Sequence, residues 1–484
     1  MFSGLAVVIG LLGLMSIPYM SMRSMGLGGA VVVLFSVLAA LTLLPALLGV
    51  LGPRVDCLRV IGRRGGDGAF WRRWSGWVMR HPVPVLIGTV VLMLVFAWPV
   101  LGIETAIPGA TALPPDSESR QGYDILQERF DIASLSPVEV LVTWKDDQDP
   151  FAPANLKRLY AYGQELEGAS GVAKVVSIVN LPGVDSVAGT AAFWRAVEQP
   201  ASARPSSAAG DGTPGLPGVL QGLLGAERRK AARRLAEATT APGTVLFRVV
   251  PESRPTSTEA QRLAVDIHDA GGPAGTTVYV AGTSMTIHDF VSAIYSRFPG
   301  IILFVVLVTA FVLLIMLRSV VLPLKAVLMN VLSLLAGYGA MVWVFQQGHL
   351  EWFFGFTASG EIDAELPVIL FCTVFGVSMD YEVFLLSRMR EEWDKSGDNV
   401  RAITFGLTRT GRIVTSAALI IVVVGMSFAF TSIIITKAIG VGLAVAVALD
   451  ATVIRILMVP AAMRLIGRWN WWLPRRLQRL PRIE

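Results

Sequence analysis

FGVSMDYEVFLLSR, running from Phe375 to Arg388, is apolar enough to lie in lipid yet carries Asp380, Tyr381 and Glu382 near its middle. Acidic side chains in such a setting acquire a meaning only if the surrounding chain is a membrane bundle. The apolar run extends over 366–387, about the 20 residues needed to cross a hydrocarbon core. Comparable runs lie at 3–22, 26–51, 83–103, 297–317, 321–346, 413–435 and 438–466. Composition agrees, with 53% of the 484 residues hydrophobic and 16% charged, against about 25% charged in soluble domains. The expected fold is therefore a polytopic α-helical membrane protein with about eight transmembrane helices.

The distribution of Lys and Arg orients these spans. Arg54, Arg59, Arg63, Arg64, Arg72, Arg73 and Arg80 crowd the linker 52–82, and Arg318 and Lys325 flank the turn 317–325. The tail 467–484 is also basic, whereas 347–365 holds Glu351, Glu361, Asp363 and Glu365 and neither Lys nor Arg. The positive-inside rule then puts the linker, the turn, the 388–412 loop and the C-terminus in the cytoplasm. Residues 3–22 lack the charged start and small-residue cleavage pattern of a signal peptide, so they read as an ordinary membrane helix. Trp469, Trp471 and Trp472 among arginines read as an interfacial aromatic anchor.

That orientation leaves 104–296 outside the membrane as a soluble α+β domain. SPVEVLVTW (136–144) alternates like a strand, NLKRLYAYGQELEG (155–168) like a helix, and VAKVVSIV (172–179) like a second strand. TVLFRVV (244–250), TEAQRLAVDIHDA (258–270) and TTVYVAG (276–282) repeat the unit, which points to a ferredoxin-like sandwich. Between the two units, 200–218 is rich in Pro, Gly, Ser and Ala and reads as a flexible insert. The basic helix 226–237 reads as a solvated face.

Asp380 lies roughly 12 Å inside the cytoplasmic end of its span. A carboxylate there costs about 2.5–3.5 kcal/mol even on a mild insertion scale, which makes two protonation states of similar free energy attainable. Gly376, one turn earlier on the same face, lets another helix or water approach, and Tyr381 supplies a hydroxyl. A structural hydrogen bond between helices is the competing reading of Asp380. Glu382 is turned about 200° from Asp380 and reads as snorkelling toward the cytoplasm. Asp450 and Arg455 are weaker intramembrane candidates: about 140° apart on an α-helix, each is expected to pair with a neighbouring span. There is no P-loop, HExxH or GxSxG motif, the four histidines suggest no site, and the two cysteines, Cys57 and Cys372, are isolated. No enzyme activity, metal, cofactor or nucleic-acid partner is expected.

MGLGGAVVVLFSVLAALTLLPALLGVLG (25–52) can be laid on IGVGLAVAVALDATVIRILMVPAAMRLIG (439–467) with one inserted residue. Gly26, Gly28, Pro45 and Gly52 then fall on Gly440, Gly442, Pro460 and Gly467. On this reading 1–51 holds the last two helices of a truncated first repeat. The helix 83–103, the outer domain 104–296 and the five-helix bundle 297–466 form a complete second one. Either the chain is a natural half or Met1 is internal to a longer reading frame.

FGVSMDYEVFLLSRMREEW (375–393), TRTGRIVTSAALI (408–420), LRSVVLPLKAVLMNVLSLLAGYG (317–339) and RWNWWLPRRL (468–477) closely resemble the MMPL family of the resistance-nodulation-division (RND) superfamily. The resemblance covers essentially the whole chain. It implies a porter-type outer domain and proton-gradient-driven export of lipids or other hydrophobic molecules across the bacterial cytoplasmic membrane. Asp380 and Tyr381 would form the proton relay, supported by Gly376. Family members have twelve spans, two outer domains and a second Asp-Tyr site, and no counterpart of that site is visible before residue 51. A non-transporting or partner-dependent half-transporter is therefore the alternative, with self-association or a missing N-terminal half as its partner.

Overall fold

The computed structural model describes residues 2–52, 67–107, 109–130, 132–146, 148–181, 184, 186–198 and 226–474. The insert 200–218, much of the basic linker and the end of the C-terminal tail lie outside the described residues, as do the side chains of Arg228 and Arg229. The described chain forms two compact units, 1–120 with 291–484 and 121–290.

Among the described residues, seven helices are long and apolar enough to cross a membrane. The expected first span is shorter than 3–22: the helix Phe2–Leu12 tightens into a 3-10 turn, Gly13–Ser16, and stops. Pro18 explains the stop, because its ring excludes the helical conformation from Ile17, which is extended at φ −78° and ψ 132°. The next helix starts early in consequence and runs unbroken over Met20–Leu51. Asp67–Arg80 follows, then Pro82–Ala97 with Pro at its first turn, where a missing N–H costs nothing. Trp71 packs on Gly411, where a Cβ would come within 2.7 Å of the indole, and Trp74 Nε1 donates to the Ile456 carbonyl at 3.3 Å. These two contacts hold Asp67–Arg80 against the bundle. β1 (Thr105–Ala106) pairs in parallel with β7 (Ile362–Asp363).

The second unit is built on an antiparallel sheet. Its strands are β2 (Val138–Trp144), β3 (Val172–Val176), β4 (Thr240–Ala241), β5 (Thr244–Pro251) and β6 (Thr276–Ala281). The order β3-β5-β2-β6, with Pro153–Glu167 linking β2 to β3 and Thr258–Ala270 linking β5 to β6, is the ferredoxin-like split βαβ arrangement. Strict alternation decides which face is covered. Val138, Val140, Val142 and Trp144 of β2 are buried, as are Val245, Phe247 and Val249 of β5. Leu156, Leu159 and Tyr162 of the Pro153–Glu167 helix and Leu263, Ala264 and Ile267 of Thr258–Ala270 close that core. Lys230, Arg233 and Arg234 are exposed, as a solvated helix face requires.

The chain returns to the bundle through Phe298–Leu317, Val321–Met341, Leu366–Ser396, Asn399–Phe428 and a last span. The last span changes pitch along its length, from α-helix Ile434–Leu449 through π-helix Asp450–Met458 to α-helix Val459–Ile466. Small residues set the close approaches. A Cβ on Gly337 would lie 2.9 Å from the Gly442 carbonyl, so only glycine lets these two helices touch backbone to backbone. Leu317, Leu322, Met389, Met463 and Trp471 belong to a core at one end of the bundle. Trp471 is a core residue and not the interfacial anchor expected. It stacks on Trp393 with ring centroids 5.1 Å apart and donates to Asn399 Oδ1 at 2.9 Å, while Trp469 and Trp472 are exposed.

Candidate functional site

Leu366–Ser396 carries Gly376, Ser378, Asp380, Tyr381 and Glu382 on successive turns, and Asp380 lies roughly 21 Å along it from Leu366. Gly376 faces the first helix. A Cβ there would meet Val7 Cγ2 at 3.1 Å and the Val7 Cα at 3.3 Å. Three residues further along the first helix, a Cβ on Gly10 would meet the Cys372 carbonyl at 3.6 Å, so the two helices run antiparallel. One more step of the same ladder brings Asp380 level with the start of the first helix. Asp380 and Tyr381 are partly exposed, whereas Ser378 and Glu382 are buried.

On the other side of the same helix sits a buried ionic network. Arg455 donates to Asp450 Oδ2 through Nε at 3.0 Å and Nη2 at 2.8 Å, and the two side chains are only 3% and 2% exposed. Nη2 also donates to the Ser378 carbonyl and, at 3.1 Å, to Ser378 Oγ. Ser378 Oγ lies 2.7 Å from Asp450 Oδ2 and 2.8 Å from Asn330 Oδ1. One hydroxyl proton cannot serve two acceptors, and Asn330 Nδ2 has no partner as placed. Turning the Asn330 amide resolves both problems: Nδ2 donates to Ser378, and Ser378 donates to Asp450. The Arg455 guanidinium also lies 5.5 Å from the Tyr381 ring centroid, which ties the network to the Asp-Tyr pair by a cation–π contact.

Three expectations are corrected. Asp450 and Arg455 pair with each other, although both also bond Ser378 of the neighbouring span as expected. Residues five apart diverge on an α-helix but stack in the i→i+5 geometry of the π-helix Asp450–Met458. Glu382 does not snorkel to a surface; it is 3% exposed and turned into the bundle. Lys325, expected as a charge of the turn 317–325, is likewise enclosed within Val321–Met341, at 7% exposure. Asn330 and Ser378 went unnoticed in the sequence, since a single amide or hydroxyl barely lowers the hydropathy of a span. Among the described residues no cluster of three or more His, Cys, Asp or Glu side chains is placed to hold a metal ion.

Away from the charges, a cavity of about 510 Å³ opens between Pro82–Ala97, Val321–Met341 and the last span. Val95, Phe96, Trp343, Phe354, Met426 and Val441 line it, so it is apolar throughout.

The chain is similar to several curated proteins over its full length. It is 32% identical to the mycolic acid-containing lipids exporter MmpL11 of Mycolicibacterium smegmatis, covering 100% of this chain and 45% of the relative. It is 31% identical to the heme uptake protein MmpL11 of Mycobacterium tuberculosis, covering 100% and 44%. It is 26% identical to the trehalose monomycolate exporter MmpL3 of Mycobacterium tuberculosis, covering 99% and 48%. The chain thus spans about half the length of the curated relatives it matches. The family profile described as "MMPL family" matches residues 1–85 and 111–483, and with nearly every residue inside that match the chain belongs to the MMPL family of the RND superfamily.

Proposed function

We propose that this multi-pass membrane protein works as part of a proton-driven exporter of lipids or other hydrophobic small molecules, with Asp380 and Tyr381 in the proton relay. The observation that carries the reading is the network Asp450–Arg455–Ser378–Asn330, which touches Tyr381 in the middle of an apolar bundle. Buried charges are costly in a bilayer, and such groups are usually kept where ions or protons pass. A carboxyl at Asp380 that alternates between charged and neutral, beside a fixed Asp-Arg pair, would bias the bundle between two arrangements of helices. The apolar cavity beside Trp343 and Phe354 suits an acyl chain or another hydrophobic group, in keeping with the lipids and heme named for the relatives. In this reading the protein sits in the bacterial cytoplasmic membrane with 104–296 outside and the C-terminus in the cytoplasm.

The test is Asp380→Asn in cells or proteoliposomes, measuring export of a lipid substrate and the accompanying proton flux. Loss of both, with the variant still inserted in the membrane, is the expected result. Unchanged, proton-coupled export would remove Asp380 from the relay.

A second reading, a half-transporter that needs a partner, is favoured by Met20–Leu51. Over its most apolar window this helix has no buried residue, although Gly26 packs against Leu11 and Leu14. Co-purification of a second bundle would support it, whereas a reading frame that continues upstream of Met1 with further spans would restore the whole transporter.

A further inference from the structure

Outside the Asp450–Arg455 network the bundle encloses further ionisable side chains: Glu392 and Lys437, which have hydrogen-bond partners in Arg401 and the Phe354 carbonyl, and also Lys325 and Glu382. Lys325, on Val321–Met341, and Glu382, on Leu366–Ser396, are 7% and 3% exposed. Neither carboxylate oxygen of Glu382 has a hydrogen-bond partner, and neither does Lys325 Nζ. The two charges nonetheless act on one another through space. Contrast this with Asp450 and Arg455, which have closed to 2.8 Å as a permanent ion pair does. A buried carboxylate that accepts no hydrogen bond gives up only its through-space attraction to nearby cations on taking up a proton, whereas Asp450 would also give up its direct contacts with Arg455 and Ser378.

The surroundings of Glu382 are few and known. Arg455 and Asp450 face it from the last span and Lys325 from Val321–Met341. The neighbouring helices Phe2–Leu12 and Phe298–Leu317 contain no charged residue, and Asn399–Phe428 carries Arg401, which pairs with Glu392, together with Arg409 and Arg412. Along its own helix Glu382 stands about 3 Å beyond Asp380. The shift is toward the end of the bundle where Arg390 Nη1 donates to the Leu317 carbonyl at 3.1 Å.

We propose that Glu382 is a second proton-binding station, between Asp380 and the aqueous phase at the Leu317–Arg390 end, with Lys325 setting its proton affinity. The proposal rests on the relay reading given above. The step moves one proton: it leaves the Asp380 carboxyl, passes through water around Tyr381 to the Glu382 carboxylate, and is released to water at the inner end. No other bond changes, and Lys325 stays an ammonium throughout as a positioning residue.

The test is isotope-edited infrared spectroscopy of the purified, lipid-reconstituted chain, with ¹³C-carboxyl glutamate and a pH titration. The expected result is a protonated-glutamate carbonyl band that grows on acidification and is missing in Glu382→Gln. In Lys325→Met the same band should persist to higher pH, because removing a nearby cation raises a carboxylate's proton affinity about 10- to 1,000-fold. Both variants are near-isosteric, and retention of the wild-type melting profile establishes that each is folded. If Glu382→Gln removes no band, or Lys325→Met leaves the midpoint in place, the proposal is overturned. Proton-coupled transport that is unchanged in a folded Glu382→Gln protein also overturns it. None of these readings depends on Asp380→Asn, so failure of the relay and failure of this station are separately visible.

Discussion

Breaking the Asp450–Arg455 pair from one side should be far more damaging than removing it whole. Arg455→Met leaves Asp450 at 2% exposure with only the Ser378 hydroxyl for company, and Asp450→Asn strands a guanidinium at 3% exposure. Loss of one partner of a buried pair costs about 3–5 kcal/mol, because the remaining charge keeps its desolvation penalty without its counter-charge. The double variant removes both penalties at once. It still removes the second hydrogen bond to the Ser378 carbonyl, which keeps its partner within the helix, for about 0.5–1.5 kcal/mol. The cycle is therefore non-additive by about 3 kcal/mol or more. Tryptophan fluorescence during denaturant titration in mixed micelles reads the unfolding of the bundle, with all four proteins measured under one condition. Single variants that each cost under about 1 kcal/mol, with a double variant equal to their sum, would refute the assignment of this contact as a desolvated ion pair.

Three further outcomes follow from the geometry. Gly376→Ala should be nearly neutral, since a Cβ needs only a small shift of Val7, whereas Gly376→Leu overpacks the contact with the first helix and should lower stability by about 1–3 kcal/mol in a melting assay. Asp398 caps Asn399–Phe428 by accepting from Val400 N at 2.9 Å and Arg401 N at 3.3 Å, so Asp398→Ala should cost about 1 kcal/mol and speed amide exchange in that first turn. Burial pushes the Asp363 carboxyl of β7 up to about 6 from 3.8. The folded state then binds the extra proton between those values, so this contribution favours folding at low pH and is lost as pH rises through about 6. Asp363→Asn keeps an acceptor for Glu365 N and should flatten that loss, read as amide-exchange protection around β7 from pH 4 to 8 at about 2 kcal/mol or less.

Much of this architecture can be read in the residues because burial writes a period into them. The alternation of Val138, Val140 and Val142 fixes which face of β2 is covered, and the long apolar runs locate the membrane helices though not all of their ends. Local chemistry that interrupts a run is harder to weigh. Pro18 shortens the first helix although the surrounding hydropathy continues through it. Asn399–Phe428 starts well before its apolar portion, because Asp398 can cap it there. Within the site, Asp380 and Tyr381 stand out as polar intrusions, but their neighbours do not. Asn330 is 48 residues from Ser378, and Arg455 is 77, so only the packing of the helices brings them together. Lys325 and Glu382 look like end-of-helix charges until tertiary packing encloses them. The change of pitch at Asp450 has no compositional mark at all.

That change of pitch bears on how the two similar segments came to differ. The first, 25–52, lies in a helix that is regular α throughout Met20–Leu51, and the second, 439–467, is longer by one residue. With the surplus residue placed in the π stretch, Ser36 and Ala40 occupy the places of Asp450 and Arg455. A single-codon insertion into a helix held at both ends by packing has nowhere to go except a widened turn. Excising one residue between Asp450 and Arg455 should then restore regular coiling and leave the two groups four apart, a spacing at which side chains still meet on an α-helix.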